Sequence, residues 1–141
     1  MSRLTIFLSR LLGLFFLLVA ITMFLQQQNT VETVAMFFRD PPLIMVLGMI
    51  TLAIGLAIVL AHNVWSGGAL PVVVTLLGWL FLIRGIVLLT LPPTEVSALF
   101  EMLRFSRFAP FFELIMLIIG AYLTFAGFRA SPPPTGTNVS A

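Results

Sequence analysis

PPLIMVLGMITLAIGLAIVLAHNVWSGGALPVVVTLLGWLFLI, residues 41 to 83, carries no charge beyond the proton that His62 can take up. At about 20 residues per bilayer crossing it is long enough for two helices and a turn. His62, Asn63, Trp65, Ser66, Gly67 and Gly68 place the break, because turn formers and an interfacial tryptophan interrupt the apolar run. The stretch therefore predicts a hairpin of two spans, near 42 to 61 and 69 to 91. Working outward, the next apolar runs are Leu11 to Leu25 and Ile115 to Phe128. Each is shorter than a bilayer unless Arg10 or Glu113 is drawn in, which sets the outer spans near 8 to 27 and 109 to 128.

Composition agrees with a membrane protein. Of 141 residues, 60% are hydrophobic and 9% charged, whereas soluble domains carry about a quarter charged residues. The net charge is +2 and every basic residue is an arginine, scattered along the chain rather than gathered in a patch, so nothing points to nucleic acid. Zero cysteines exclude disulfides and thiolate metal sites. The predicted fold is all-α: a membrane four-helix bundle in one domain, residues 1 to 130, followed by a disordered Pro-rich tail at 131 to 141. Residues 1 to 25 also fit the outline of a signal peptide, with Arg3 and Arg10 before an apolar stretch, but Gln26, Gln27 and Gln28 follow Leu25 where a cleavage site needs small residues.

Four crossings put both termini and the 62 to 68 loop on one face, and the loops near 28 to 40 and 92 to 107 on the other. Arg3, Arg10 and Arg129 mark the first face; Arg39, Arg104 and Arg107 mark the second, with Arg84 close by. The positive-inside rule is nearly balanced, and the two arginines opening the first span favour cytoplasmic termini.

A shift of 65 residues lays Leu11-Leu12-Gly13-Leu14-Phe15-Phe16-Leu17-Leu18 over Leu76-Leu77-Gly78-Trp79-Leu80-Phe81-Leu82-Ile83. The same register sets Val31 over Val96, Ala35 over Phe100 and Arg39 over Arg104. This suggests two parallel helical-hairpin repeats about an axis normal to the membrane. Apolar helices also share Leu, Phe and Gly by composition alone. Val31/Val34/Phe38 and Val96/Phe100/Leu103 recur at helical spacing, so each repeat is expected to hold a short interfacial helix between its spans, the second capped by Thr94.

Arg84 and Glu113 fall at similar depth, roughly 7 to 10 Å below one surface at about 1.5 Å per residue. Intramembrane ionisable groups usually pair inside the protein, so an ion pair locking spans three and four is expected, with a proton relay through Glu113 or snorkelling by Arg84 as rivals. Gly48 and Gly55 with Thr51 and His62, and Gly120 and Gly127 with Glu113 and Thr124, form small-residue stripes suited to close helix packing. Gly78 and Gly85 are candidates for the same role on span three.

Catalytic constellations are absent from the pattern. One histidine cannot give bis-histidine haem ligation within a monomer, the acids lie toward the opposite face, and no triad can be assembled around His62. No catalytic residue, metal site or cofactor is expected.

The segment Val59-Leu60-Ala61-His62-Asn63-Val64-Trp65-Ser66-Gly67-Gly68, with Thr75-Leu76-Leu77-Gly78-Trp79 and Arg84-Gly85, resembles small bacterial four-span integral membrane proteins of unassigned function that share an HNxW turn and a TLxGWxxxxRG helix. The resemblance covers about a fifth of the chain. It implies a bacterial inner membrane location and marks His62, Asn63, Trp65, Gly78, Trp79, Arg84 and Gly85 for testing. It implies no reaction.

The functional expectation is a non-enzymatic accessory or assembly subunit embedded in the lipid bilayer, packed on a membrane-protein partner or on copies of itself. The alternative is a small oligomeric transporter or channel component using Glu113. A redox or lipid-modifying enzyme is the least favoured class.

Overall fold

A computed structural model describes residues 2–102 and 105–130. It is all-helical: α1 (Arg3–Leu25), α2 (Gln27–Phe37), α3 (Pro41–Ala61), α4 (Ala69–Thr90), α5 (Pro93–Met102) and α6 (Phe105–Arg129). Four of these, α1, α3, α4 and the Pro110–Arg129 part of α6, are long and apolar enough to cross a membrane. The tail at 131 to 141 lies outside the described residues.

Local chemistry sets the helix ends. Ser2 caps α1, its hydroxyl accepting from the Thr5 N–H, so the first helix begins at Arg3, ahead of the expected residue 8. Asp40 caps α3 by accepting from the Leu43 N–H, with proline in the first turn where no N–H is missed. Leu91, extended before Pro92, stops α4. The next helix opens at Pro93, which puts Thr94 inside its first turn rather than at the cap. The turn between α3 and α4 takes positive φ at Gly67 (92°) and Gly68 (117°), where a side chain would be strained.

The repeat register is carried by the backbone itself. Adding 65 to the bounds of α1, α2 and α3 gives 68 to 90, 92 to 102 and 106 to 126, within three residues of α4, α5 and α6 at every end. Burial follows the same shift: Thr5, Ile6, Ser9, Leu12, Gly13 and Ala20 are buried, and so are Leu70, Pro71, Val74, Leu77, Gly78 and Gly85. Phe16 and its equivalent Phe81 stack on each other, centroids 6.0 Å apart and planes at 19°, as residues beside a pseudo-twofold axis do.

Packing crosses the repeats. The helix α1 runs antiparallel along α6, and α3 along α4, whereas the two spans of one repeat, α1 and α3, barely touch. Each repeat is thus an opened hairpin whose spans find their partners in the other copy. A shared core of Leu12, Phe16, Ile58, Leu70, Val74, Leu77 and Leu123 joins the two pairs from mid-bilayer toward the face of the termini. Nearer the face of α2 and α5 a separate, smaller cluster, Ile44, Leu88 and Val96, ties α5 to α3 and α4.

Candidate functional site

The two helix pairs meet along seams built on glycine. In the α3–α4 seam a Cβ on Gly55 would collide with the Leu82 backbone, and one on Gly85 would lie 2.5 Å from the Leu52 nitrogen. Gly78 faces Ile58, and Gly48 faces Leu88 and Leu89. In the α1–α6 seam Gly120 faces the Leu17 nitrogen at 2.8 Å, Gly13 faces the Thr124 nitrogen at 2.5 Å, and Gly127 faces Ser9 and Arg10 at 3.2 Å. Shifted by 65, the contact of Gly55 with Leu82 becomes that of Gly120 with Leu17, and the contact of Gly78 with Ile58 becomes that of Gly13 with Leu123. Lipid tails are as apolar as leucine, so close van der Waals approach is what holds helices together here.

At the face of the termini each seam ends in a side chain that grips carbonyls at or just past the end of the opposite helix. Thr75 Oγ1 donates to the Val64 carbonyl at 2.9 Å, lies 3.4 Å from the His62 carbonyl and accepts from the Val64 N–H at 3.1 Å. The Arg10 Nε–H donates to the Gly127 carbonyl at 2.9 Å, and its guanidinium stacks 4.7 Å from the Phe128 ring. Arg10 and Thr75 are repeat equivalents, as are Gly127 and His62. The sequence pattern singled out neither Arg10 nor Thr75 for this role; their matching 65-residue offset was the signal that could have found them.

Thr75 pulls the extended residues after α3 down beside α4 and so builds the HNVW turn. His62 is 2% exposed, and its Nε2 has no hydrogen-bond partner among the described residues. Asn63 and Trp65 stand outside, the Trp65 indole N–H donating to Asn63 Oδ1 at 2.7 Å. This exposed tryptophan suits the membrane interface.

Arg84 and Glu113 are not brought together. Glu113 is 4% exposed and occupies the position equivalent to Gly48, so the α1–α6 seam carries a carboxyl where the α3–α4 seam carries a hydrogen atom. Arg84 is exposed, and among the described residues no hydrogen bond or ion pair reaches it. The physical reason is azimuth. Glu113 lies seven residues before Gly120 and shares its seam-facing stripe, while Arg84 is next to Gly85 and so turned about 100° away from the α3 seam. The expected lock between spans three and four is replaced by a buried acid in one pair and an outward base in the other.

Among the described residues no three His, Asp or Glu side chains gather as a metal site would require. Comparison with protein-family models, with curated proteins and with solved structures gives no match. What the chain does has to be read from its own surfaces.

Proposed function

We propose that this chain is a non-enzymatic integral membrane protein, an accessory or assembly subunit that acts through lateral contacts of its bilayer-embedded faces. The observation that carries the reading is Arg84: a permanent charge on a membrane span, exposed on the outside of the bundle rather than turned into it. A cation in that setting is costly without an anion, and among the described residues none pairs with it. The connections between spans are too short to form a soluble catalytic domain, which leaves the embedded surface as the larger working area. A multi-pass location in a bacterial inner membrane with cytoplasmic termini completes the proposal, on the strength of the turn and helix resemblance and of the two arginines that open α1.

Gentle solubilisation from the native membrane tests it. A stoichiometric membrane-protein partner in the isolated complex is the expected result, and a chain that comes out alone at monomer mass contradicts it.

The burial of Glu113 within a membrane span supports a second reading, a small oligomeric transporter or channel component. It requires proteoliposome flux that falls in Glu113→Gln; flux no greater than that of empty liposomes removes it.

A further inference from the structure

Arg84 lies six residues before Thr90, the last residue of α4, which puts its Cα about 9 Å inside that helix end. Side chains on a helix lean toward its N-terminus, and for Arg84 that direction is toward the bilayer centre, away from the nearer surface. A lipid phosphate at the surface is therefore awkward for the guanidinium to reach, while an anion at its own depth meets it without reversal of the side chain. Inward retreat is blocked, because the neighbouring Gly85 is packed against the Leu52 backbone and α4 cannot rotate to bury the charge. Leu80 and Ile83, 60% and 57% exposed, flank Arg84 with the apolar surface a second helix would cover.

We infer that Arg84 docks a transmembrane helix of a different protein that carries an Asp or Glu side chain at this depth, in the leaflet of α2 and α5. A second copy of the chain does not fit. Glu32, Asp40, Glu95 and Glu101 belong to α2, the α3 cap and α5, outside the spans, and Glu113 is buried in its own seam. Two copies meeting at this surface would oppose arginine to arginine. The equivalent position in the first repeat is Val19, so only one of the two pseudo-symmetric surfaces is charged, and a single partner helix per chain is expected.

This inference rests on the accessory-subunit reading and narrows the partner to its chemistry. The probe is a synthetic Leu/Ala transmembrane peptide bearing one Glu about six residues from the end in the α2/α5 leaflet, with a Gln version as control. Energy transfer to the labelled full-length chain is measured in phosphatidylcholine vesicles. Wild type should bind the Glu peptide about tenfold more tightly than the Gln peptide, as expected for an interhelical polar contact of 1–2 kcal/mol. Arg84→Lys should keep that preference, Arg84→Gln should lose it, and Arg84→Glu should transfer it to a peptide bearing Arg.

Equal binding of the two peptides by wild type overturns the inference, as does a Glu preference that survives in Arg84→Gln. A preference that disappears when phosphatidylglycerol replaces half of the lipid assigns Arg84 to a phosphate headgroup and overturns it too. The two levels of the account separate cleanly: a stoichiometric native partner with no Glu preference removes only the helix-borne acid, while a chain isolated alone removes the subunit reading.

Discussion

The α3–α4 and α1–α6 seams are the same structure twice, yet they differ in what fills it. The first has Gly48, Gly55, Gly78 and Gly85 along its length, with Thr51, His62 and Thr75 as its buried polar side chains. The second keeps three glycines but adds Ser9, Arg10, Glu113 and Thr124. Ser9 satisfies its hydroxyl on the Thr5 carbonyl one turn back, 2.7 Å away. One repeat geometry therefore accepts a glycine at Gly48 and a buried carboxyl at its equivalent Glu113, which teaches that shape specifies the pairing and that polar groups are additions to it.

If shape dominates, the largest effect belongs to the closest approaches. Gly55→Leu and Gly120→Leu should each prevent the native bundle from forming, because the new side chain meets backbone, which cannot yield as a flexible side chain can. Steric-trap unfolding in bicelles would read this; two variants that unfold like wild type would separate the seams from the stability of the bundle.

Arg10→Met comes next. It removes a charge-assisted hydrogen bond and the contact with Phe128, a loss of about 1.5–3 kcal/mol. The loss should fall on the end of α6, visible as faster hydrogen exchange near Gly127. Thr75→Val, its repeat equivalent, should cost about 1 kcal/mol and free the Val64 amide. If Thr75→Val proves more damaging than Arg10→Met, the two closures are not equivalent. Gly48→Ala should have the smallest effect, under about 1 kcal/mol, since the added methyl meets mainly the movable Leu89 side chain at 3.0 Å.

Much of this architecture was legible in the chain. The spans around residues 42 to 61 and 69 to 91 came within a residue or so of α3 and α4, because charge-free length and a Gly-Gly turn are direct records of a bilayer crossing. Of the outer spans, the first reaches back beyond residue 8 to the Ser2 cap, whereas the fourth, near 109 to 128, lies within a residue of Pro110–Arg129, with α6 itself starting earlier at Phe105. The 65-residue register was visible in Leu11 to Leu18 against Leu76 to Ile83. What it could not show was which helices pair, since a repeat offset fixes equivalence and not contact.

The same gap explains Arg84 and Glu113. Hydropathy gives the depth of a residue but not the direction in which it faces, and two groups at one depth on α4 and α6 still point apart. The stripe arithmetic that placed Glu113 with Gly120 contained the needed angle; it lacked the knowledge that α6 packs on α1 rather than on α4.

Pairing across repeats is the central claim, and a chain cut between Ser66 and Gly67 tests it most directly. If α1 depends on α6 and α3 on α4, fragments 1–66 and 67–141 expressed separately should be degraded, and expressed together they should co-purify in equal amounts with wild-type resistance to protease. Two fragments that each accumulate as stable, protease-resistant hairpins without the other would contradict the account.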